Sequence, residues 1–355
     1  MRNERIPLLL LTGFLGSGKT TLLNQLVQLP EFSRTLVIIN EFGETSLDHL
    51  LVSKSSDEQI VELSSGCICC TIRGDLAKTL SDATWRFARN GVRQFDRVVI
   101  ETTGLAEPTP ILQIISNTPK LYDSYRVQGT VTVVDAVNGA GTLATHPEAQ
   151  KQVAVADLLL LSKTDLASDI QQAATRAAMS ALNPTAPVEL VLQGQTQVAE
   201  ILALDHAEPV QSTAPLHSWL PTDKLSFAPV SGKQGLLRAE PVSTTPVDLN
   251  RHNDRIRAYC YVLEHPVTAA QIDQWLDALM PELGPQLLRL KAILNVVGFP
   301  GPLVVHAVQH LLHPAGLLTE WPDQDRRCKL VFITDNLTED KIVQTLQCLQ
   351  PDSAL

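Results

Sequence analysis

Apolar and polar positions divide the chain into two regimes. In the first, short and largely apolar runs at Ile6 to Leu11, Thr35 to Ile39, Asp96 to Ile100, Thr130 to Val134 and Ala156 to Leu161 alternate with longer stretches of helical spacing. Asp75 to Asn90 repeats Leu76, Leu80, Ala83 and Phe87 at three- and four-residue intervals, the mark of a helix with one buried stripe. Strands that are apolar throughout have both faces covered, as in a parallel sheet flanked by helices, so the pattern predicts an α/β fold with a mostly parallel sheet.

The second regime follows a stretch carrying Pro209, Pro215, Pro221, Pro229, Pro241 and Pro246, which cannot sustain long helices. Beyond it, Ile256 to Leu263 alternate like a strand, and Ala269 to Met280 and Gln286 to Ala292 read as helices. Leu294 to Val297, Leu303 to Leu312 and Leu330 to Thr334 read as strands, and Thr338 to Leu349 as a closing helix with Thr338 and Glu339 at its start. The expected division is a first domain over residues 1–205, a Pro-rich linker over 206–250 and a smaller α+β domain over 251–355. His206 and His217 read as solvated linker residues. His306 and His310 share a face of an extended strand that His313 does not, so packing or partner contact is expected there rather than a metal.

At 355 residues the chain is long enough for two cores, and its 44% apolar content is that of an ordinary globular protein. A net charge of −10 argues against nucleic acid as a partner, because phosphate backbones recruit concentrated Lys and Arg. No apolar stretch approaches the roughly 20 residues that a bilayer demands. Leu8 to Leu11 behind Arg2 and Arg5 mimic a secretory signal, but no small-residue cleavage site follows. Six cysteines, three of them crowded together, do not resemble a secreted disulfide framework, and a cytoplasmic protein is expected.

The chemistry begins at Gly13-Phe14-Leu15-Gly16-Ser17-Gly18-Lys19-Thr20, a GxxxxGK(S/T) phosphate-binding loop between an apolar run and the helical stretch Thr21 to Leu29. Gly13, Gly16 and Gly18 let backbone N–H groups turn inward around phosphate oxygens, and the following helix adds its positive end through residues such as Thr21. Lys19 would reach the outer phosphates and Thr20 would bind Mg²⁺. Glu101 closes a buried run and suits the Mg²⁺ shell, and Gly104 suits the approach to a γ-phosphate. Glu41 and Glu44 read either as metal or water contacts or as loop solvation. Ser162-Lys163-Thr164-Asp165 approximates NKxD, in which the carboxylate accepts two hydrogen bonds from guanine and the lysine stem lies along the base. Ser162 in place of Asn is expected to weaken the tie between this loop and the phosphate loop.

Gly66-Cys67-Ile68-Cys69-Cys70 is the second informative site. Three thiolates suit Zn²⁺ and leave a fourth position for water, another side chain or a recipient protein. A redox-active vicinal thiol pair and inert buried cysteines are the competing readings.

Together and in this order, the phosphate loop with Thr21-Leu22-Leu23-Asn24, Asn40-Glu41-Phe42-Gly43-Glu44, the cysteine triplet, Glu101-Thr102-Thr103-Gly104 and Ser162-Lys163-Thr164-Asp165 resemble the CobW-like P-loop GTPases, metal-handling relatives of the nickel GTPases of hydrogenase and urease maturation. The resemblance implies a GTP-dependent metal insertase or chaperone that uses GTP/GDP, Mg²⁺ and Zn²⁺ or another transition metal such as Co²⁺, and delivers the metal to a client metalloprotein. Two departures stand out: Ile39 occupies a position that is acidic in some relatives, and the histidines are scattered rather than gathered in a tract. The cysteines lie between the phosphate loop and Glu101, in the part of such proteins that orders around γ-phosphate, so nucleotide state is expected to open or close the thiolate site. A small-metabolite kinase would need an Arg-rich lid, yet the region after Asp165 offers only Arg176. A redox or metal sensor without transfer activity is the other alternative.

Overall fold

The computed structural model describes residues 5–40, 58–62, 68–72, 76–192, 195–204, 220–230, 255–284, 286–309, 311–321 and 323–351, with the backbone alone for 40, 58–62, 68–72, 224 and 280. The chain forms two compact units, one comprising Met1–Arg176 with Val188–Asp205 and the other Ala177–Pro187 with His206–Leu355.

The first unit is an eight-stranded sheet. Its strands are β1 (Ile6–Thr12), β2 (Thr35–Asn40), β3 (Glu58–Glu62) and β4 (Ile68–Ile72), then, beyond the short hairpin β5 (Ala88–Arg89) and β6 (Val92–Arg93), β7 (Arg97–Thr102), β8 (Tyr125–Asp135), β9 (Leu158–Ser162) and β10 (Val188–Leu190). The spatial order is β10-β9-β8-β1-β7-β2-β4-β3, and every neighbour is parallel except β3 beside β4. The apolar runs of β1, β7, β8 and β9 are buried at nearly every position, as central parallel strands require. Helix α1 (Lys19–Leu26) sets Leu22, Leu23 and Leu26 into one core with Leu9, Leu11, Val99 and Val133. The helices α2 (Leu76–Arg86), α3 (Thr109–Asn117), α4 (Pro119–Ser124), α5 (Gly139–Thr145) and α6 (Pro147–Ala154) fill the crossovers. Register aligns Ile39 with both Thr71 and Glu101, and Glu101 with Leu11, so the row that carries Glu101 crosses β4, β2, β7 and β1.

The second unit packs the helices Ala269–Leu283 and Glu339–Leu346 on one face of a mixed sheet of short and long strands, with Trp275, Leu290, Val305, Phe332 and Ile342 in its core. Four sequence expectations change here. Leu294 to Val297 is not a strand of its own, because Leu294 ends the strand Leu287–Leu294 and Val296 beyond it makes an isolated bridge to Val267. Gln286 to Ala292 is not a helix: Leu287–Leu294 is a strand buried at all eight positions between two antiparallel neighbours, and that burial overrides the helical preference of its Leu, Arg, Lys and Ala residues. Ala228–Pro229, inside the expected linker, pairs with strand Ile256–Leu263, and Leu220, Leu225 and Phe227 join a core of this unit. The strand expected to run from Leu303 to Leu312 ends at Val308 and folds back at Leu311–Leu312, which stacks the rings of His306 and His313 with centroids 4.2 Å apart. His310, His206 and His217 lie outside the described residues. Among the described residues, no helix is long and apolar enough to cross a membrane.

Candidate nucleotide and metal site

The phosphate loop leaves β1 at Gly13, whose φ of 142° and closeness to the Val133 carbonyl exclude any side chain. Gly18 takes a left-handed conformation and starts α1, so the free N–H groups of that helix's first turn, at Lys19, Thr20 and Thr21, gather at one helix end. Lys19 is 8% exposed, and its Nζ donates to the carbonyls of Gly13 at 2.8 Å and Phe14 at 3.1 Å. Burial pushes its pKa down, and the Glu101 carboxylate pulls it back up.

Adjacent strands β1 and β7 bring the next pair together: Thr20 Oγ1 donates to Glu101 Oε1 at 2.6 Å, and Glu101 is buried. Two hard oxygen donors side by side at a phosphate loop match what Mg²⁺ accepts. Gly104 follows β7 and packs directly on the loop, since a Cβ there would sit 2.5 Å from the Leu15 backbone nitrogen.

On the other flank, β9 delivers Ser162, whose hydroxyl donates to the Ser17 carbonyl at 2.6 Å and lies 3.2 Å from that of Val134. The tie between the two loops, expected to be weak without Asn, is made directly because the short hydroxyl sits at the strand tip against the phosphate loop. Lys163 has a positive φ of 56° and its Nζ reaches Asp135 Oδ2 at 2.8 Å. For Asp135, burial acts to raise the carboxyl pKa, but hydrogen bonds from Lys163, the Val137 N–H and Asn138 hold it below the usual carboxylate range. Thr164 is buried and Asp165 is exposed.

Cys69 and Cys70 lie in the backbone of β4, paired with Val37 and Ile38 of β2 and with Val61 and Ile60 of β3. Cys67, Glu41 and Glu44 lie outside the described residues. Two residues to which the sequence reading gave no role join the site. Asp135 carries a readable signal, a carboxylate at the tip of a buried strand. Gln152 in α6 carries none: it is fully buried, and its Nε2 donates to the carbonyls of Gly104 and Ala106, both at 3.0 Å.

The profile of the CobW/HypB/UreG nucleotide-binding domain matches residues 7–189, and that of the cobalamin synthesis protein CobW C-terminal domain matches residues 256–349. The chain is 33% identical over 340 residues to the zinc chaperone YjiA of Escherichia coli (strain K12), a match that spans 95% of this chain and 96% of that one. It is 34% identical over 209 residues to the zinc-regulated GTPase metalloprotein activator 1 of Schizosaccharomyces pombe, spanning 57% of this chain and 50% of that one. The crystal structure of Zn(II)-bound YjiA GTPase from E. coli is similar at a TM-score of 0.69 and 30% identity, covering 98% of this chain and 100% of that one. A phosphate loop, an acidic strand tip beside it and a second unit of CobW C-terminal type occur in one chain, which therefore belongs to the CobW/HypB/UreG family of nucleotide-binding proteins.

Proposed function

We propose that this protein is a cytoplasmic GTPase that carries a transition metal, Zn²⁺ foremost, on Cys67, Cys69 and Cys70, and couples GTP binding and hydrolysis to transfer of that metal to a client protein. The observation that carries the reading is the Thr20–Glu101 pair at 2.6 Å beside the phosphate loop, in a sheet whose strands also hold Cys69 and Cys70. The names of the similar proteins, a zinc chaperone and a zinc-regulated GTPase metalloprotein activator, support zinc as cargo.

In this reading Gly13, Gly16, Ser17, Gly18 and Lys19 cradle the phosphates, with the N–H groups of Thr20 and Thr21 at the helix end. Lys19 turns from the loop carbonyls to the outer phosphates, and its partial burial strengthens that attraction. Thr20 and Glu101 would hold Mg²⁺, which when bound neutralises charge on the phosphates. Gly104 presents backbone to the γ-phosphate, and Ser162, Lys163 and Asp165 read the base. Nucleotide chemistry falls to residues 1–205, and the client is met by the metal-loaded, GTP-bound protein.

Phosphate release from GTP, measured with and without Zn²⁺ and with small-molecule phosphoryl acceptors, tests this. Slow GTP hydrolysis that responds to metal supports the reading. Release that needs an acceptor turns it towards a kinase, and no release at any metal concentration turns it towards a sensor.

A further inference from the structure

Gly104 has no side chain with which to hold its place, yet its backbone rests against Leu15 of the phosphate loop. Something else must fix the path of that segment. Within it, the Ala106 N–H bonds back to the Thr103 carbonyl at 3.2 Å, while the Gly104 and Ala106 carbonyls both turn inward to the side-chain amide of Gln152. One neutral group thus satisfies two carbonyls with two N–H donors, which no other uncharged side chain of that length can do. Asn is shorter by one methylene, Glu offers acceptors, and Leu offers nothing.

Gln152 is itself held. Its exposure is 0%, its own carbonyl accepts the Thr132 hydroxyl at 2.7 Å, and its neighbour Lys151 pairs with Glu107 at 2.7 Å. Among the described residues its buried Oε1 has no hydrogen-bond partner, so within them the amide is oriented by its donors. The N-terminal end of the same helix places His146 edge-on against Phe14 of the phosphate loop, with ring centroids 4.5 Å apart. Helix α6 therefore touches the phosphate loop at one end and the segment after Glu101 at the other.

We propose that Gln152 is a positioning residue for GTP hydrolysis: by gripping the carbonyls of Gly104 and Ala106 it sets where the Gly104 backbone stands when γ-phosphate arrives, and it links that segment to α6. The proposal rests on the GTPase reading. Because the Gln152 side-chain amide, among the described residues, bonds to this segment alone, its loss acts on the GTP-bound state and spares the loops that bind GDP.

Gln152→Leu and Gln152→Glu test it. In both, GDP affinity stays within about twofold of the parent, while kcat for GTP falls by roughly tenfold to a hundredfold, the scale on which misplaced groups act. A buried carboxyl has a raised pKa and, once protonated, regains one donor. Gln152→Glu should therefore recover turnover relative to the parent as pH is lowered from about 8 to about 6, whereas Gln152→Leu should not. Amide hydrogen exchange over Thr103–Glu107 without nucleotide, faster in both variants, reads the grip itself and stays informative if the parent fails to hydrolyse GTP. A Gln152→Leu chain that does not fold leaves the pH series of Gln152→Glu to decide. Equal loss of GDP binding and turnover, an unchanged kcat, or unchanged exchange would each overturn the proposal.

Discussion

Ser162 Oγ donates to the carbonyl oxygen of Ser17 at 2.6 Å, a buried bond between residues 145 apart in the chain. It joins the loop after β9 to the phosphate loop, so the base and phosphate ends of a nucleotide site would share one hydrogen bond as their brace. Ser162→Ala leaves a buried carbonyl without that donor, at about 1–3 kcal/mol. GDP and GTP should weaken together when titrated calorimetrically, and selective loss of one nucleotide would count against a brace.

Asp165 is exposed, as a residue meeting an incoming base must be. Asp165→Asn should lose preference for GTP over ATP by about 2 kcal/mol, the cost of mismatched polar groups in a closed pocket. Competition between the two nucleotides measures it. Equal binding of both by the unmutated protein would sink the guanine assignment.

The Asp135–Lys163 pair carries a pH signature. The folded Asp135 carboxyl titrates below its ordinary value, so it contributes stability that is fully present above the unfolded value of about 3.9 and is lost as pH falls through the folded value. Thermal melts of the parent and Asp135→Asn should therefore differ by a constant amount above about pH 5 and converge below about pH 4. A difference that grows on acidification contradicts this assignment of sign.

For the metal, Cys69→Ser should abolish tight Zn²⁺ binding, because a hydroxyl is a harder ligand that does not ionise at neutral pH, and leave nucleotide binding intact. Lys19→Ala should remove nucleotide first and weaken metal only by the coupling of about 1–3 kcal/mol typical of linked sites. Zn²⁺ titration against a competing chelator, in GDP and in a non-hydrolysable GTP analogue, reads the coupling. Identical affinity in the two states would leave a thiol cluster and a GTPase without a switch between them.

Two cysteines outside that triplet should stay silent. Burial pushes the Cys260 thiol up to about 12; Cys328 is pushed up to about 11 by burial, against a lowering hydrogen bond from the Asn295 N–H. Their thiolate fractions near neutral pH are minute, so alkylation followed by mass spectrometry should find both unmodified until the chain is unfolded.

What the sequence discloses tracks how local the cause is. The phosphate loop is legible because its glycines and Lys19 stand at fixed spacing, and β7 and β9 are legible because a strand covered on both faces must be apolar throughout. Leu287–Leu294 misleads because its residue types favour a helix, and only its place in the middle of a sheet makes it a strand. Ser162 reads as a weak substitute for Asn until the strand tip is seen to bring its hydroxyl onto Ser17. Gln152 is invisible because its partners lie 46 and 48 residues away and follow no spacing rule.

The chain visits the second unit for residues 177–187 and returns to the first before leaving it for good after Asp205. That detour makes the second unit discontinuous in time as well as in sequence. During synthesis, Ala177–Pro187 emerges long before the strand carrying Lys291, whose buried ammonium donates to the Thr185 carbonyl at 3.1 Å. The contact with Lys291 must wait until most of the chain has left the ribosome, so the first unit can assemble most of its sheet during translation while the second is completed at the end. Cutting after Asp205 would sever the second unit from one of its own pieces, and a fragment starting at residue 206 would fold without that acceptor for Lys291.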